Sequence, residues 1–298
     1  MPRARRLIAA LLVAAAAALA GACGDGGASA AATAGPAATD RFDAGRAWAD
    51  LRRQVAMGPR PAGSPASRRL AAYLRARLPR GRFEAVPGGL RNVVGALPGR
   101  GRPILVGAHY DTKDLPGFVG ANDGAGGVAV VLEVARALRT GQRACQRPIR
   151  FVMFDGEESS RGSTDFLRDG MRGSRFHAAT ARPLPLVAVI VDFVADRDLS
   201  IPREATSDPR VWARLRRAAA AVGAARVFQG GTGAAVYDDH TPFLEAGVPA
   251  IDLIDFDYPH FHRRSDDLRA VSPRSLDAVG ETLVELLRRM RADGCRAR

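Results

Sequence analysis

Four short apolar runs divide the middle of the chain: Ile104–Ala108, Arg150–Phe154, Val187–Val194 and Ala250–Ile254. Three of them stop at a polar or acidic residue and Asp192 interrupts Val187–Val194, and apolar runs of this length bounded by turn signals read as buried strands. Asn92–Leu97 reads as a further strand. Longer stretches predict helices over Phe42–Met57, Ser64 to about Leu78, Val128–Leu138, Pro209–Val222 and Ser272 to about Ala292. Ser64 is the expected N-cap of the second, with Pro65 at its first position. The alternation of strand and helix predicts an α/β fold: one three-layer domain with a mixed, mostly parallel central sheet flanked by helices. A length of 298 residues, 47% hydrophobic, supplies ample core for that domain. No internal repeat and no second boundary follow residue 40.

The N-terminus departs from this pattern. Arg3, Arg5 and Arg6 precede an apolar stretch from Leu7 to Ala22 that ends at Cys23. Such a segment predicts an export signal over residues 1–23. Ala20-Gly21-Ala22-Cys23 resembles a bacterial lipoprotein cleavage box, without the leucine that more often stands three places before the cysteine. The favoured expectation is lipidation at Cys23 and attachment to a membrane, with plain secretion as the alternative. Residues 24–40, rich in Ala, Gly and Thr, read as a disordered linker. The folded domain is then 41–298. In an exported protein Cys145 and Cys295 either pair or stay free, and the sequence leaves both readings open. The formal charge of +13 is nearly all arginine, scattered over helix faces without a nucleic-acid motif. No nucleic-acid partner is expected.

Candidate chemistry gathers where the strands stop. The first run leads into His109-Tyr110-Asp111-Thr112, the second into Asp155-Gly156-Glu157-Glu158, and the third into Asp192. The fourth leads into Asp255-Phe256-Asp257-Tyr258-Pro259-His260-Phe261-His262. Asp123 sits in the glycine-rich turn Gly120–Gly127 that opens a helix. A lone Glu-Glu pair is ordinarily a solvated acidic turn, and each of the other residues alone has a structural reading. Five metal-competent groups at strand ends, with no thiolate among them, instead suit a catalytic zinc that keeps one position open. Adjacent side chains of an extended segment point different ways, so one glutamate can hold metal while the other faces substrate.

The segments GPRPAGSPASRRLAAYL, GAHYDTK, GANDGAGGVAVVLEVARAL, FVMFDGEE, IVDFVADRDL, DDHTPFLEAGVPAIDLI and YPHFH resemble, in order and spacing, the zinc-dependent aminopeptidases and glutaminyl-peptide cyclotransferases. The resemblance runs from Gly58 to the C-terminal helix and implies a zinc-exopeptidase-like fold acting on peptide or protein N-termini. In the two-zinc aminopeptidases His109 and Asp192 would hold one ion, Glu158 and His262 the other, and Asp123 would bridge. In the cyclotransferases one zinc would be held by Asp123, Glu158 and His262, with Asp192 and Asp239 in a hydrogen-bonded acidic network. Glu157 would carry the proton in both, and Asp111 would orient His109. His262 is preferred over His260 as ligand. His240 is expected to cap or pack a turn, and His177 to lie on the surface. Tyr237 is a candidate oxyanion donor, though a packing role is preferred. HYDTK, Asp238-Asp239-His240 and PFLEAGVPAIDLI lean toward the cyclotransferases. Phe261 (where they usually carry Trp), Arg263-Arg264 and Gly124 depart from them. The reading favoured narrowly is the cyclotransferase, followed by the aminopeptidase. An inactive binding module comes last, since every ligand position and Glu157 are present.

Overall fold

The computed structural model describes residues 41–296. The export-signal, lipoprotein and linker expectations lie outside the described residues. The strands are β1 (Arg82–Val86), β2 (Leu90–Leu97), β3 (Ile104–His109), β4 (Ile149–Phe154), β5 (Val187–Val191), β6 (Ile201–Arg203), β7 (Phe228–Thr232) and β8 (Ala250–Leu253). The helices are α1 (Ala44–Val55), α2 (Pro65–Arg77), α3 (Ala125–Ala137), α4 (Phe166–Asp169), α5 (Arg172–Thr180), α6 (Pro209–Ala221), α7 (Thr241–Glu245) and α8 (Pro273–Arg296). A six-stranded sheet runs β1-β2-β4-β3-β5-β8, and β6 pairs with β7 in a small separate sheet. β4, β3, β5 and β8 are parallel, while β2 pairs antiparallel with both β4 and β1. The mixed, mostly parallel sheet expected from the sequence is therefore the one observed.

Period-two alternation divides the strand side chains between two cores. Val106, Phe151, Met153, Val189, Val191 and Ile251 face α1, α2, α3, α6 and α8. Leu105, Val152, Phe154, Ala188 and Ile190 face Ala178 of α5 and Phe243 of α7. α3 is apolar apart from Glu133, which pairs with Arg46 and Arg136, and Arg136 itself, and all its residues from Ala125 to Ala135 are buried. It lies so close to β5 that a Cβ on Gly127 would stand 2.0 Å from the Val191 carbonyl oxygen. α8 turns Leu276, Val279, Leu283, Leu286, Leu287 and Met290 inward at helical spacing. Ser64 caps α2 as the sequence predicts, its side chain accepting from Ser67 N at 3.1 Å.

Cys145 and Cys295 form a disulfide that ties the loop before β4 to the last turn of α8. Among the described residues no helix is long and apolar enough to cross a membrane.

Candidate functional site

The four parallel strands deliver their C-terminal ends to one edge of the sheet, where an open α/β sheet places its ligand crevice. His109 ends β3, Glu157 and Glu158 follow β4, Asp192 follows β5, and His262 lies in the loop after β8. Asp123 reaches the same edge from the turn before α3. Gly124 there has φ 91°, and a Cβ on it would stand 2.7 Å from the Asp111 carbonyl oxygen, so a side chain is excluded both by backbone and by space.

Hydrogen bonds set these loops. Asn122 N and Asp123 N donate to the two oxygens of buried Asp266 at 2.8 and 3.1 Å, and Tyr258 Oη donates to the same carboxylate at 2.7 Å. The fully buried Arg60 guanidinium donates to the Val119 and Gly120 carbonyls at 2.8 and 3.3 Å. Asp111 accepts from Glu157 N and Glu158 N, both at 3.2 Å. Its Oδ1 also faces His109 Nδ1 at 3.7 Å, so the carboxylate that holds the glutamate turn stands beside the imidazole as well. Phe261 stacks face to face on His262, with ring centroids 3.9 Å apart, and His262 adopts a left-handed φ of 51°.

Two donor trios result. His262 Nε2 lies 3.1 Å from Glu158 Oε1 and 3.5 Å from Asp123 Oδ2. His109 Nε2 lies 3.3 Å from both Asp123 Oδ1 and Asp192 Oδ1. Asp123 Oδ2 and Glu158 Oε1 are buried without a hydrogen-bond partner. Zinc bond lengths imply donor-to-donor edges of about 3.3–3.5 Å around a tetrahedral ion. The imidazole-to-carboxylate distances of both trios, 3.1–3.5 Å, lie close to that spacing, all donors of each trio fall within 4.8 Å of one another, and their oxygen and imidazole chemistry suits such a cation.

Burial and charge act together on the carboxyls. Burial, with Glu158, Asp238 and Asp239 adding like charge, pushes Glu157 well above the usual carboxylate range. Burial likewise raises Asp239, and raises Asp192 to about 7 against the pull of His109. For Glu158 burial also acts upward, but His262 and Lys113 outweigh it and its pKa falls. The cavity beside these groups measures about 370 Å³ and is walled by Phe166, Phe193, Phe256, Phe261, Tyr237, Val236 and Ile254.

Several expectations change. Asp192 and Asp239 are not hydrogen-bonded to each other: neither oxygen of Asp239 has a partner, and Asp192 Oδ1 takes Phe193 N and His109 instead. Tyr237 does not pack, since its side chain is 59% exposed at the cavity rim. His177 is not a surface residue; α5 turns it under the sheet, where Nδ1 meets Glu84 at 2.8 Å beside Phe154 and Phe243. His260 points to Ser265 Oγ at 2.9 Å and joins neither trio. His240 is buried with Nε2 2.9 Å from Thr206 Oγ1. It gathers with Asp238 and Asp252 into a third His/carboxylate group that the sequence reading missed. The missed signal was Asp252, an acidic residue inside an apolar strand.

Residues 92–287, more than half of the chain, match the profile of Peptidase family M28. The chain belongs to this family. It is 28% identical over 211 residues to a bovine (Bos taurus) glutaminyl-peptide cyclotransferase-like protein, covering 60% of this chain and 55% of that one. It is also 28% identical over 195 residues to aminopeptidase YwaD of Bacillus subtilis (strain 168), covering 60% of this chain and 39% of that one. The chain thus spans little more than half, or less, of these relatives. The solved structure of a glutaminyl cyclase from an Acidobacteriales bacterium superposes with a TM-score of 0.73 at 29% identity, covering 88% of this chain and all of that one. The names of these relatives carry the two activities that the sequence motifs suggest.

Proposed function

We propose that this chain is a zinc-dependent enzyme that converts N-terminal glutamine of peptides to pyroglutamate with release of ammonia. The observation that carries the reading is a buried carboxyl, Glu157, set beside the Asp123–Glu158–His262 trio at the floor of a largely apolar cavity. Those three residues would hold the ion, and zinc bound there would supply a Lewis acid for the amide carbonyl. The α-amine attacks the side-chain carboxamide carbon, the new C–N bond closes the ring, and the bond to the departing nitrogen breaks. Glu157 takes the amine proton and delivers it to that nitrogen. Burial among like charges raises its proton affinity, which a proton carrier working near neutral pH needs. The aromatic wall limits water at the reacting centre, favouring ring closure over hydrolysis.

A second reading rests on the His109–Asp123–Asp192 trio, whose spacing suits a second ion and with it aminopeptidase hydrolysis by a metal-activated water. Metal content of the purified protein separates the two: one tightly held zinc per chain supports the cyclase, two the aminopeptidase. Export through residues 1–23, with a lipid on Cys23, is part of the proposal. The Cys145–Cys295 bond supports it, because disulfides persist in oxidising compartments.

A further inference from the structure

All but one of the 44 lysine and arginine side chains in this protein are arginine, and the exception is Lys113. It lines the cavity, and its Nζ lies 2.8 Å from Glu158 Oε2 and 3.0 Å from Ser159 Oγ. The two oxygens of Glu158 are therefore divided. Oε2 belongs to the ammonium, while buried Oε1 accepts no hydrogen bond and stands 3.1 Å from His262 Nε2.

We infer that Lys113 is a positioning residue that restricts Glu158 to one-oxygen ligation and so keeps a coordination position open for substrate. The inference rests on the proposed metal-holding role of Asp123, Glu158 and His262. With one oxygen from each carboxylate and one imidazole nitrogen, the trio fills three positions of a tetrahedral ion and leaves a fourth. A Glu158 with both oxygens free is able to chelate through both and fill that fourth position itself. The choice of lysine in an arginine-rich chain follows from the same geometry. An ammonium is a point charge that occupies one oxygen, whereas the guanidinium fork matches a carboxylate through two parallel bonds and would sequester Oε1 as well.

The two substitutions at this position are thus expected to act in opposite ways. Lys113→Met frees Oε2: the metal stays bound, but catalysis falls roughly 10–100-fold, mainly in kcat. Lys113→Arg captures both oxygens and weakens metal binding itself, again roughly 10–100-fold. The test uses purified full-length protein carrying one equivalent of Co²⁺, with affinity measured by chelator competition and folding checked by circular dichroism. The wild type should show the intense visible absorption of four-coordinate cobalt. Lys113→Met should show the weaker spectrum of a five-coordinate ion at undiminished affinity, and Lys113→Arg a loss of affinity. A Lys113→Met protein with the wild-type spectrum and kcat, or a Lys113→Arg protein that binds cobalt as the wild type does, overturns the inference. A wild type that binds no cobalt removes the metal-site reading beneath it, a different failure with a different signature.

Discussion

The Cys145–Cys295 bond closes a long loop far from the chemistry, so removing it should separate stability from activity. The two cysteines are 150 residues apart in sequence and 4.8 Å apart at Cα. A loop of that size restricts the unfolded chain by about 17 cal/mol/K, or about 5 kcal/mol at 25 °C. For a domain of this length about 5 kcal/mol corresponds to a fall in Tm of about 10 °C. The loop before β4 and the end of α8 keep other ties: Arg147 N donates to Arg291 O at 3.0 Å, and the Arg291 guanidinium reaches Arg147 O and Pro98 O. The native contact should therefore survive, with the loss felt in the unfolded state. The glutamate turn lies at the opposite end of β4, so turnover and metal content at 25 °C should not change. The experiment compares wild type with Cys145→Ser/Cys295→Ser by calorimetry and by initial rates at 25 °C. An unchanged Tm would refute the loop argument. A large loss of rate with a native circular dichroism spectrum would refute the separation of this tie from the site.

Other consequences are equally direct. Glu157→Gln should abolish turnover and leave bound zinc unchanged by elemental analysis; full activity would remove Glu157 as proton carrier. Gly127→Ala forces a methyl group to within 2.0 Å of the Val191 carbonyl oxygen and should cost about 3 kcal/mol or more, read as a lower urea midpoint at constant slope. Glu204 has its pKa lowered to about 2; burial acts upward but is outweighed by His240 and the Thr206 amide. A depressed carboxyl stabilises the fold above its unfolded value, near 4.5, and that contribution is lost as pH falls toward about 2. Glu204→Gln should flatten the loss of stability across that acid window in denaturation series, and an unaltered slope would count against the assignment.

The helices are legible from their one-sided apolar spacing, and the strands most legible in the sequence are those buried on both faces. β3, β4 and β5 are covered on both faces, so they appear as nearly continuous apolar runs, broken in β4 by Arg150, whose ends mark the site edge. β1 was not visible because it is an edge strand with only Val86 buried, and its Arg and Glu residues read as loop. β6 and β7 contain Pro202 and two glycines, which argue locally against strand. α5 is short and rich in Arg, Gly and Ser, and that concealed the burial of His177 against Glu84. In the site, ligand types and their positions after strands could be read in advance. The division of Glu158 between Lys113 and His262, the hold of Asp111 on the glutamate turn, and the gathering of Asp252 with Asp238 and His240 depend on side chains meeting across the sheet edge.

The measurement closest to the central claim is product identification. Purified zinc-loaded protein is incubated with a glutaminyl peptide and, separately, with a leucyl amide, and products are followed by mass spectrometry and ammonia release. The account predicts a pyroglutamyl peptide with one ammonia per turnover and little free leucine. Free leucine without pyroglutamate would contradict the cyclase in favour of the aminopeptidase, and processing of neither substrate would contradict the claim that this constellation acts on peptide N-termini.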